Sequence, residues 1–152
     1  MAQWYDDVHA VQKYRLGTRL KGKNANEYVY LKGVTSCADG SWVTVAASWT
    51  AVLAVADGQG MLAIANNAID AATKYGWFTI WGVEQGLCLV SFDGTNGAGT
   101  YLTSTAGSVD DTDVAGDAVS HAVGLTDRNT TTGMSDFSLA YPFVHDLGLD
   151  AA

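Results

Sequence analysis

Short runs of β-forming residues recur along the whole chain, and turn dipeptides separate them. Glu27-Tyr28-Val29-Tyr30-Leu31-Lys32, Trp42-Val43-Thr44-Val45 and Ala51-Val52-Leu53-Ala54-Val55 come first. Gly76 to Trp81, Leu87 to Phe92, Tyr101 to Thr103, Ser120 to Thr126 and Phe137 to Val144 follow. Branched and aromatic residues in such runs suit a pleated, half-buried surface. Between them lie Ala38-Asp39-Gly40, Asp57-Gly58, Asp93-Gly94 and Asn96-Gly97. These residues tolerate left-handed backbone and bond to their own main chain, which is what tight turns require. Short strands at this spacing predict an all-β chain, folded as an antiparallel β-sandwich or a barrel-like domain.

One stretch departs from the pattern. Met61 to Thr73 is alanine-rich, and Ile64, Ala68 and Ala72 recur at helical spacing. It reads either as a short helix or as a strand through Ala65 leading into a reversing loop. Its β neighbours favour the strand and loop. The loops Gly94 to Gly107 and Asp127 to Gly133 are rich in Gly, Thr, Asn and Ser and are expected at the surface. At 152 residues the chain has the size of one domain with a proper core. Residues 1–12 lack alternation and read as an extended N-terminal arm, and 13–152 as a single β domain.

Residues 75 to 81 raise a sharper question. In an extended strand Tyr75, Trp77, Thr79 and Trp81 share one face, and Gly76, Phe78 and Ile80 the other. A strand with one wet face should show polar residues at every second position, and only Thr79 is polar here. With Phe78 and Ile80 toward the core, the Tyr75/Trp77/Trp81 row needs a second cover. A further layer of the same domain, a subunit interface or an aromatic ligand platform would each supply it.

Charge narrows the function. Only 16% of residues are charged, against roughly a quarter in an average soluble domain, so much of the exterior is expected to lie in contacts. A net charge of −8 argues against general nucleic-acid binding. Yet Lys13, Arg15, Arg19, Lys21 and Lys23, five of the eight basic residues, fall in a stretch without an acid. All five sit at odd positions, so one regular strand would set them on one face, unless Gly17 and Gly22 bend it. They read as a solvated strand and turn, or as a contact for an acidic partner surface, with the arm gripping a neighbour.

Candidate chemistry is sparse. His9, His121 and His145 stand in no recognisable motif, and no nucleophile elbow, zincin, phosphate-loop or dinucleotide pattern occurs. The chain is expected to be a non-enzyme without catalytic residues or cofactor. Cys37 and Cys88 lack metal-ligand spacing and are expected as reduced, buried thiols. Asp110-Asp111-Thr112-Asp113 with Asp117 offers oxygen ligands for Ca²⁺ but lacks the glycine and glutamate of an EF-hand. It reads as a solvated acidic loop, and no metal is expected. The start, MAQWYDDVHAVQ, lacks the basic and apolar regions of a signal peptide, and no apolar run approaches the ~18 residues of a membrane span. An alternative built on the aromatic row is a fibre or carbohydrate-binding β module.

Several segments carry a family resemblance in order. They are Leu16-Gly17-Thr18-Arg19, Glu27-Tyr28-Val29-Tyr30, Tyr75-Gly76-Trp77 with Gly82 after it, and Leu102-Thr103-Ser104-Thr105-Ala106-Gly107-Ser108-Val109-Asp110. Together they resemble the small head-decoration, or capsid cement, proteins of tailed bacteriophages. The resemblance spans Leu16 to Thr126 and fades over Asn66–Thr73 and Asp111–Asp117; it does not include the first dozen residues or the tail from Asp127. It implies a non-enzymatic virion protein, β-rich and often trimeric, assembled in the host cytoplasm. Such a protein binds the major capsid protein on the outer surface of the lattice, adds after the shell expands and resists internal DNA pressure. On this reading the interface candidates are Lys13, Arg15, Arg19, Lys21, Lys23, Tyr75, Trp77 and Trp81, with no nucleic acid and no membrane as partner.

Overall fold

The computed structural model describes residues 3–95, 97, 99–113 and 117–145. Its strands are β1 (Arg19–Lys21), β2 (Glu27–Lys32), β3 (Trp42–Val45), β4 (Ala51–Leu53) and β5 (Gly60–Ala65). They continue with β6 (Tyr75–Leu87), β7 (Gly99–Leu102), β8 (Val109–Asp110), β9 (Ala118–Gly124) and β10 (Met134–Val144). All named pairings are antiparallel and join the strands into one folded sheet, in the order β1-β2-β6-β5-β10-β9-β7-β8, with β3 and β4 branching from β5. The fold is all-β and sandwich-like. Met61 to Thr73 resolves as the end of β5 and a loop: Leu62 to Ala65 form a strand buried on both sides, while Ala68 and Ala72 of the helical spacing lie exposed in the loop.

That double burial organises the core. Leu62 and Ile64 of β5 face a cluster with Trp42, Phe92, Leu102, Phe137 and Leu139. Ala63 and Ala65 face a second cluster with Val29, Leu31, Val43, Phe78 and Ile80. One expected strand is cut short. Leu87 to Phe92 leaves the ladder after Cys88: Cys88 N–H still donates to Gly133 O (3.1 Å), but its carbonyl is taken by Arg128 Nε (3.0 Å) and Leu89 N–H turns to Val109 O (2.9 Å). The chain then turns, and Phe92 drops back into the first cluster.

A third cluster answers the question raised by residues 75 to 81. Tyr28, Tyr30 and Trp77 are fully buried on the outer face of β2 and β6, under Trp4, Tyr5, Leu16 and Tyr75. The N-terminal segment supplies this cover. Trp4–Asp6 form a single 3₁₀ turn. Tyr5 stacks on Tyr28 with ring centroids 4.6 Å apart, and Trp4 meets Trp77 edge-on at 4.8 Å. His9 and Tyr75 exchange backbone hydrogen bonds of 2.8 and 2.9 Å. Aromatic pairs add about 0.5–1.5 kcal/mol each beyond area burial, so this layer is held mainly by rings. The described part of the arm therefore lies on its own sheet rather than extending away.

The face assignment of Trp81 is corrected. Tyr28 pairs with Thr79 but Glu27 pairs with Trp81, so the register shifts by one residue at Ile80. This bulge breaks the alternation, and Trp81 parts from the covered Tyr75/Trp77 row. Gly82, at φ +103°, makes the shift possible. A Cβ there would fall 1.9 Å from Asn26 Oδ1. Without one, the Asn26 amide reaches the bulged strand, accepting from Val83 N–H (3.1 Å) and donating to Val83 O (2.8 Å).

Candidate docking surface

The basic residues gather at the β1 end of the sheet. β1 pairs with β2 alone, and its three residues are exposed. Arg19 and Lys21 project to one side of it, with exposed Leu20 between them. Lys13 and Arg15 lie before a turn closed by Thr18 N–H to Arg15 O (3.1 Å), and Gly17 adopts φ +82° there. The five cations therefore do not form one regular strand face, and the glycine bend is the reason. They are nonetheless all exposed, at one edge. Among the described residues the one ion pair is Lys74–Asp70, at 2.6 Å. None of the five has an acidic partner there.

Beside this edge stand aromatic groups. Trp81 is 43% exposed and its ring centroid lies 5.2 Å from that of Tyr141, itself 39% exposed. Tyr141 donates to the buried Glu27 carboxylate (2.7 Å), a bond that pushes the Tyr141 phenol above its ordinary pKa. The Arg19 guanidinium sits 5.9 Å from the Tyr141 ring centroid, within reach of a cation–π contact. Tyr141 and the facing His121 have φ of +55° and +64° where the β9–β10 register slips, which turns the Tyr141 ring toward Trp81.

On the same side, Trp49 occupies a left-handed position (φ +59°) in the turn between β3 and β4. Its indole lies against Gly17, where an added Cβ would come within 2.6 Å of the ring. A cleft of about 330 Å³ lined by Arg15, Leu16, Gly17, Thr18 and Trp49 opens on one flank. A second of about 190 Å³, which reaches Met61, opens on the other.

Of the sequence candidates, the structure brings Lys13, Arg15, Arg19, Lys21 and Lys23 to one edge, with Trp81 nearby. Tyr75 and Trp77 are taken up by the arm and are not part of the exposed surface. Tyr141, Glu27 and Trp49 join it unannounced. Tyr141 lay in a predicted strand, and only its place opposite Trp81 in the folded sheet reveals it. Trp49 carried one signal, a tryptophan where turns favour Gly or Asn.

Other candidates fall elsewhere. His9 Nδ1 lies 3.0 Å from the Tyr30 hydroxyl, and His121 Nδ1 lies 3.2 Å from Ala140 O. Cys37 and Cys88 are buried free thiols, each pushed up to about 11 by burial. The acidic stretch is not simply solvated. Asp110 accepts from Ser91 and Thr112, and Asp117 from Asp57 N–H, both nearly buried beside a cleft of about 350 Å³. Among the described residues no group of three or more His, Cys, Asp or Glu is placed to hold a metal ion. Comparison with protein-family models, curated proteins and solved structures finds no match.

Proposed function

We propose that this chain is a structural protein that docks on the outer surface of a phage capsid lattice and stabilises it. Its partners on this reading are the major capsid protein and further copies of itself, as a homotrimer, within the virion. One observation carries the reading: a chain of net charge −8 holds five cations at one sheet edge, none ion-paired among the described residues. Like charges side by side repel, so such an edge is stabilised by an acidic partner. The exposed Trp81 and Tyr141 beside it add apolar area to the contact. Retention on expanded, DNA-free capsids tests the idea. Wild type should be retained at low salt and less so at high salt, since screening acts over ~8–10 Å at physiological ionic strength. The Lys13→Glu/Arg15→Glu/Lys21→Glu variant should fold normally and lose retention. Equal binding of both proteins at both salts removes the basic edge from the account.

A second reading draws on the Trp81–Tyr141 pair. Two exposed rings with Glu27 and Arg19 alongside resemble a platform on which a sugar ring stacks, as a fibre or carbohydrate-binding module would use. Retention on immobilised glycans, lost in Trp81→Ala, would favour it over capsid docking.

A further inference from the structure

Beneath the arm lies a polar chain whose protons can be counted. The Thr79 hydroxyl faces two oxygens at once, Asn66 Oδ1 and Glu84 Oε2, the latter at 2.9 Å. The hydroxyl has one proton and donates to only one of them. The Asn66 amide is oriented from its other end by a long contact, Nδ2 to the Tyr5 carbonyl of the arm (3.5 Å). Flipping it would set oxygen against oxygen. Thr79 therefore donates to Asn66, and the contact with Glu84 needs a proton from Glu84.

We propose that Glu84 is a neutral carboxylic acid in the folded protein, the first member of a relay through Thr79 and Asn66 that latches residues 3–9 onto the sheet. Ionisation of Glu84 then loosens the arm. Thr79 itself is fully buried, so water does not replace the missing donor while the arm is closed. The charged groups around Glu84 are acidic: Asp39 from the turn before β3, and Asp6 from the arm itself. Tyr28 on β2 faces the same space as a neutral phenol, held above its ordinary pKa by burial. Burial likewise pushes the Glu84 carboxyl up, by more than its contacts with Gln85 N–H (3.0 Å) and Thr79 pull it down, and Asp39 and Asp6 add to the rise. A carboxylate at Glu84 would repel Asp6, which the arm itself carries. Asn67, which donates to Asp6 O at 3.0 Å, is the second point of the latch.

The sign follows from linkage. A carboxyl with its folded pKa above the unfolded one stabilises the closed state fully below the unfolded value, near pH 4.5. That contribution is lost as pH rises through the folded value. Opening increases by up to about tenfold for each unit separating the closed and open states.

Amide hydrogen exchange of the full chain, corrected for intrinsic rates, tests this at His9 and Tyr75, whose paired N–H groups report arm docking. Protection should fall as pH rises in wild type and stay level in Glu84→Gln, which retains a neutral donor. Any contribution from His9 is common to both proteins and cancels. Parallel pH courses in the two proteins would overturn the proposal. Carboxyl ¹³C shifts of wild type supply a reading that needs no variant. The Glu84 signal should keep its protonated position above the ordinary glutamate range, and a carboxylate shift already at pH 5 would refute the relay.

Discussion

Replacing Gly82 by alanine tests the bulge that sets Trp81 apart from the buried aromatic layer. Two penalties follow from the geometry. A side chain at φ +103° occupies sparsely populated backbone, at about 1–3 kcal/mol. The new Cβ would also overlap Asn26 Oδ1, which must withdraw from Val83 and abandon two hydrogen bonds worth about 0.5–1.5 kcal/mol each. The sum is about 2–6 kcal/mol, a large part of the ~5–15 kcal/mol by which domains are stable. Urea unfolding of Gly82→Ala, Asn26→Ala and the double variant separates the contributions. Asn26→Ala alone should forfeit only the hydrogen bonds. The double variant should be less destabilised than the sum of the singles, because the clash has lost its partner. A Gly82→Ala protein within about 0.5 kcal/mol of wild type, or strict additivity, would refute this account of the bulge.

Other outcomes follow from the same packing. Trp77→Ala should cost about 3–5 kcal/mol in urea unfolding, because the ring is fully buried under the arm. Trp81→Ala, at a 43% exposed site, should cost under about 1 kcal/mol and act on binding instead. Tyr141→Phe leaves the Glu27 carboxylate without its donor and should lower the urea midpoint, an effect that Glu27→Gln removes in a double-variant cycle. Cys37 and Cys88 should resist a thiol reagent in the native protein and both react after unfolding. A mass two daltons low that is restored by reduction would instead reveal a disulfide.

The fold class was legible because strand periodicity and turn chemistry are local. β2 and β3 fall where the β-formers lie, and Met61 to Thr73 followed its β neighbours rather than its helical spacing. Face assignment was less legible. Period-2 alternation holds along β6 to Thr79 and fails at the bulge, whose cause is an asparagine distant in sequence, Asn26. The cover over Trp77 was equally hidden, since residues 3–9 carry no periodicity and dock through rings. The basic edge was legible as a charge run, but its shape was not: the turn at Gly17 breaks it in two. Tyr141 and Trp49 enter that surface through long-range placement alone.

Docking through the β1 edge can be seen by imaging expanded capsids incubated with the protein by electron cryo-microscopy. Density for the chain is expected on the outer surface, with Arg19–Lys21 and the Trp49 clefts facing acidic groups of the capsid lattice. Bare outer surfaces, or a bound chain with that edge turned to solvent, would contradict it.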